Sequence, residues 1–152
     1  MYQSAAVLEN DPIAPVVMQF VSPLWGFPGC SEYTLQPAAR EGVWWLQGVT
    51  APYPTFVLSD PFVANPGYSL DLTPSDYALL EITDPTDVIA LVMLALPAET
   101  RGVVTANFRA PLVFNLVTRR AIQMVSGNEG FSMQQPISLS CYPAREELAP
   151  LA

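Results

Sequence analysis

The chain contains no histidine, and its six cationic side chains are all arginines (Arg40, Arg101, Arg109, Arg119, Arg120 and Arg145), so lysine is missing as well. Without imidazole there is no Ser-His-Asp or Cys-His catalysis and no histidine metal site. Without a lysine amine there is no Schiff base and no P-loop lysine. Cysteine is scarce: Cys30 and Cys141 do not by themselves complete a four-ligand zinc site. They pair only if the fold brings them together, and two thiols so far apart in sequence fit an intracellular chain with buried cysteines. Charge is thin too, at 13% of residues against about a quarter in an average globular chain. With 51% hydrophobic residues, that composition excludes a disordered protein.

What is present points to one domain of short elements. A chain of 152 residues is long enough to bury a core, and 16 prolines leave little room for long helices. Fourteen acids against six bases give a net charge of −8. That field repels nucleic-acid phosphates and anionic membranes and favours a basic protein partner. The N-terminus lacks the basic start of a signal peptide, and the longest apolar run, Val88 to Leu96, is too short to span a bilayer. A soluble, cytoplasmic protein is the expectation.

Strand-like runs recur between proline and glycine punctuation. They are Val16–Val21, Val43–Val49, Thr55–Ser59, Val88–Leu96, Val103–Phe108, Leu112–Leu116 and Ala121–Val125. Trp25 to Gly29 reads as a turn and Val117 to Arg120 as a hairpin loop. Val88–Leu96 has no polar face, which predicts a strand buried on both sides. One helix start is well signalled: Thr73 as N-cap, Pro74 in the first turn and Asp76 near the positive end of the dipole. Tyr77, Leu79, Leu80 and Ile82 supply its apolar side, and it stops before Asp84-Pro85. From Gly127 onward the chain reads as weakly structured. These elements predict a mostly β fold, an antiparallel β-barrel-like single domain with one or two short helices. Residues 1–137 form the domain and 138–152 a C-terminal tail.

Carboxylates, tyrosines and water are the only acid–base groups left, and the acids are scattered through turns and termini. The composition therefore argues against an enzyme. Asp84 and Asp87 read as a solvated turn, and Arg119-Arg120 as solvated surface. In a strand, Trp44 and Trp45 point to opposite faces, one to the core and the other free to anchor a partner, unless the fold buries both. Asn107 and Asn115 flank an apolar segment and read as amides that hydrogen-bond turn backbone.

Several motifs in collinear order carry a resemblance. Gly26-Phe27-Pro28-Gly29, Trp45-Leu46-Gln47, Phe56-Val57-Leu58-Ser59-Asp60-Pro61-Phe62 and Pro66-Gly67-Tyr68 are followed by Thr105 to Asn115 (TANFRAPLVFN) and Arg120-Ala121-Ile122-Gln123. Together, over about residues 16 to 126, the chain resembles the flagellar assembly factor FliW family. Arg109 stands where that family usually has an aliphatic residue, and Phe131 where tyrosine is common. The resemblance implies a β-barrel without catalytic activity, cofactor or metal. It implies binding to flagellin and, alternatively, to the translational regulator CsrA, relieving CsrA repression of flagellin mRNA translation. Gln47, Asp60, Tyr68, Asn107 and Asn115 match the pattern and are polar or amphipathic, which makes them the candidate partner-binding residues. A small-ligand or glycan-binding barrel with Trp44 or Trp45 as a stacking platform is the alternative, and a carboxylate-based hydrolase a third reading.

Overall fold

The computed structural model describes residues 15–96 and 103–144. Arg101, Arg145 and the last eight residues of the expected tail lie outside that range. Nine strands form the sheet: β1 (Val16–Phe20), β2 (Glu32–Pro37), β3 (Val43–Gly48), β4 (Thr55–Ser59), β5 (Val88–Ala95), β6 (Val104–Ala106), β7 (Leu112–Asn115), β8 (Arg120–Gln123) and β9 (Gln135–Ile137). Two short helices, α1 (Pro61–Ala64) and α2 (Pro74–Leu80), interrupt the strand succession.

The strand order is β4-β3-β2-β1-β8-β7-β5, and β5 returns to β4, which closes seven strands into a barrel. All neighbours are antiparallel except β1 and β8, which run parallel with Gln19 opposite Arg120. Beyond the barrel, the end of β5 pairs with β6, and β6 with β9. The expected fold class is thus what the chain adopts.

Alternation along each strand fills the barrel. Met18, Phe20, Tyr33, Leu35, Leu46, Leu58, Leu91 and Phe114 are all buried in one cluster. Phe20 meets Tyr33 and Phe114 edge-on at ring separations of 5.2 and 5.8 Å. Each such fully buried side chain contributes roughly 1.5–3 kcal/mol. β5 explains its own lack of a polar face. Ile89 and Leu91 face the barrel interior, whereas Val88 and Ala90 pack outside it with Leu70, Leu80, Val113 and Ile122.

α2 starts as its sequence predicts. Thr73 Oγ1 accepts from the Asp76 N–H at 3.1 Å, and the Asp76 carboxylate accepts from the Thr73 N–H at 2.9 Å. It ends at Leu80, before the expected stop, because Glu81 turns left-handed at φ 54°. Leu80 is buried, but Leu79 stands exposed rather than in the apolar stripe.

Three elements have no counterpart in the sequence reading. β2 is half polar, and only Tyr33 and Leu35 point inward. α1 is a single turn capped by Asp60. The third lies in the stretch expected to be weakly structured from Gly127: β9 pairs with β6, a short 3-10 helix covers Leu139–Cys141, and Tyr142 is fully buried. Ala144 then bridges to Arg40.

Candidate functional site

Four of the five candidate residues are parts of the frame. Asp60 is fully buried, and its Oδ1 accepts from the Phe62 N–H at 2.9 Å to cap α1. Its N–H donates to Gly42 O, and its carbonyl accepts from the Tyr142 hydroxyl at 2.6 Å. Asp60 therefore ties β4, the β2–β3 turn and the C-terminal segment together. Tyr68 donates its hydroxyl to Phe108 O at 2.9 Å and stacks on Phe131 at 4.6 Å, with Phe62 and Phe108 edge-on to it. Phe131 thus fills its place as a flat ring that needs no hydrogen bond. Burial pushes the Tyr68 and Tyr142 phenols above the ordinary tyrosine pKa, since a charged phenolate would lose its water.

The two asparagines do what their sequence setting predicts. Asn107 Oδ1 accepts from the N–H groups of Arg109 and Ala110 at 3.1 and 3.0 Å. Asn115, 1% exposed, accepts from Val117 and Thr118 N–H at 2.9 and 3.2 Å and donates Nδ2 to Leu80 O at 2.9 Å. That last bond satisfies a carbonyl left over at the end of α2. The burial of Asp60, Tyr68 and Asn115 leaves their side chains no surface to offer a partner.

Gln47 is different. It lies exposed on β3, in a row across four strands: Val17, Thr34, Gln47 and Thr55. A second row runs Gln36, Trp45 and Val57. Neither row contains a charged residue. Trp44 is 5% exposed inside the barrel and Trp45 is 40% exposed on this face, so the tandem tryptophans do divide between core and surface. Thr34, Gln36, Trp45, Gln47 and Thr55 surround a shallow hollow of about 180 Å³. Trp45 was visible from strand alternation, whereas Thr34 and Gln36 were hidden because β2 itself was not recognised.

The remaining polar groups are local. Thr86 donates both its N–H and its hydroxyl to Asp84 Oδ1 at 2.9 and 2.8 Å, which holds that carboxyl below the usual range, as in a solvated turn. Arg120 lies 3.4 Å from Glu81, with both side chains exposed. Cys30 is buried and Cys141 exposed, and neither is in a disulfide. Among the described residues, no group of three or more acids and cysteines is placed to hold a metal. None of their helices is long and apolar enough to cross a membrane.

Fold and site together define a class: a small closed β-barrel with two neighbouring rows of uncharged side chains on its outer face. The chain belongs to the FliW family, whose model, described as FliW protein, matches residues 5–137. It is 29% identical to flagellar assembly factor FliW 2 of Desulfotalea psychrophila, covering 86% of this chain and 85% of the relative. To the flagellar assembly factor FliW of Syntrophotalea carbinolica it is 31% identical, covering 86% and 91%. The fold matches a crystal structure of the flagellar assembly factor FliW with a TM-score of 0.70 at 28% identity, over 79% of this chain and 84% of that one. The curated relatives are named as flagellar assembly factors.

Proposed function

We propose that this protein is a cytoplasmic, cofactor-free flagellar assembly factor that binds flagellin and, alternatively, CsrA. Flagellin export frees the factor, which then captures CsrA and lifts its repression of flagellin mRNA translation. The observation that carries this reading is the family match over residues 5–137, supported by the same barrel in a solved FliW. Within it, Gln47 is a direct partner contact, with Trp45 beside it. Asp60, Tyr68, Asn107 and Asn115 serve binding by holding the barrel rather than by touching a partner. The glycan reading retains the exposed Trp45, but a hollow of about 180 Å³ is small against the roughly 300–1,000 Å³ of small-molecule sites.

In this reading the two sites overlap, so that one partner excludes the other. Titrating flagellin into a labelled CsrA complex tests this. The apparent CsrA affinity falls without a plateau when the sites overlap. A plateau replaces overlap with allosteric coupling of about 1–3 kcal/mol. A ternary complex at full affinity, or no binding of either protein, overturns the proposal.

A further inference from the structure

Side chains of β2 and β3 frame a rectangle on the outer face of the barrel. Gln36 stands opposite Trp45 and Thr34 opposite Gln47, with Thr55 beside Gln47 on β4. Neighbours along one strand face are ~7 Å apart and neighbours across strands ~5 Å. The hollow between them, about 180 Å³, is small for a drug-sized ligand and suits the head of one long side chain. Thr34, Gln36 and Gln47 make no side-chain hydrogen bond with another described residue, so their oxygens are open to an incoming donor. The Thr55 hydroxyl commits its proton to Tyr53 O at 3.1 Å and keeps only its capacity to accept. Trp45 is the one aromatic wall, exposed and carrying the negative π face of an indole. Neither an arginine nor a carboxylate is among the residues that line the hollow.

Acceptor oxygens beside an indole, in a molecule of net charge −8, select a cation over an anion. We infer that this hollow receives the guanidinium of an arginine on a basic partner protein. The guanidinium lies against Trp45 and donates to the side-chain oxygens of Gln36, Gln47, Thr34 and Thr55. Arginine suits the hollow better than lysine, because a planar head with five N–H donors stacks and hydrogen-bonds at once. An ammonium is a compact point charge that holds its water more strongly and gives up more on leaving it. The chain has no cation of its own in the hollow to compete for the indole. The inference rests on the reading of this chain as a protein-binding factor and gives its Trp45 and Gln47 contact a specific occupant.

Small probes test the hollow apart from any partner. The full chain, nitrogen-labelled for NMR, is titrated with N-acetyl-arginine amide, its citrulline and lysine counterparts, and methyl glucoside. The arginine probe shifts the Trp45 indole N–H and the Gln36 and Gln47 side-chain amides together, along one saturable curve. Citrulline has the same shape without the charge and binds about tenfold more weakly or less. Trp45→Leu keeps an apolar side chain at an exposed position, so it weakens arginine binding about tenfold while thermal melting persists. If that variant fails to fold, the comparison of arginine with citrulline in the unaltered chain decides alone. Equal shifts from those two probes, or none from either, overturn the cation site. Lysine binding as strongly as arginine overturns the guanidinium assignment, and methyl glucoside moving the same signals more strongly than arginine assigns the hollow to a sugar. Arginine shifts confined to the exposed acids Glu81 and Asp84 overturn the inference too, as non-specific attraction. Binding of flagellin and CsrA is measured separately, and its loss bears on the function and not on the hollow.

Discussion

Asn115 shows how one buried amide serves three elements. It closes the β7–β8 turn through two N–H groups and joins that turn to the end of α2 through Leu80 O. Alanine there leaves the partly buried N–H groups of Val117 and Thr118 without their acceptor, because the Thr118 hydroxyl compensates only at Leu80 O. Asn115→Ala is expected to lower stability by about 2 kcal/mol, seen as a lower urea midpoint, while the folded fraction keeps its partner affinity. An unchanged midpoint with lost binding would reassign the residue to partner contact. At this scale the sequence was most informative where a polar residue sits at the end of an apolar run. Asn107, Asn115, Thr73 and Asp84 all bond the backbone that their positions suggest. Asp60 was harder to read, since its main task is to receive Tyr142 from 82 residues away.

Among the elements, the segment from β9 to Ala144 works as a strap. β9 is zipped to β6, Arg40 donates to Tyr142 O at 2.8 Å, and the Tyr142 ring closes on Gly42, where a Cβ would stand 3.0 Å from it. Gly42 has φ +84°, so a side chain there is strained for two reasons. Tyr142→Ala is expected to speed amide exchange over residues 135–144 well before it affects β7 and β8, by mass spectrometry of exchanged fragments. The strap also sets an alkaline limit. In the unfolded chain the Tyr142 phenol ionises near pH 10, while burial keeps it neutral in the fold. The unfolded state therefore loses its proton first, and stability that is complete below pH 10 falls as pH rises further. Tyr142→Phe should reduce that alkaline slope by up to about 1.4 kcal/mol per pH unit, measured as urea midpoints at pH 8 and pH 11. This strap escaped the sequence reading because its polar, proline-dotted residues have no periodicity, and one tyrosine supplies the buried anchor. α2 was legible for the opposite reason, since its cap, proline and acid are all local.

For the whole molecule, net charge acts where partners meet. Fourteen acids against six bases steer a basic partner, and the Debye length shrinks from ~10 Å at 0.1 M salt to ~3 Å at 1 M. Association with CsrA is therefore expected to slow with salt while dissociation changes little, as followed by stopped-flow mixing. A flat association rate would remove electrostatics from recognition. The β-rich class and most strands were readable from runs of β-branched residues between prolines. Closure was not, because it depends on pairing between distant strands that no local pattern encodes. That same closure has a consequence in time. Gln19 and Phe20 wait for Arg120 and Ala121, about a hundred residues later, before β1 acquires its second neighbour. Loops of that length close slowly, and folds dominated by distant pairings reach their native state late. A newly synthesised copy is consequently present before it is competent to bind. In any circuit that responds to the number of free copies, the strand order introduces a delay between making the protein and using it.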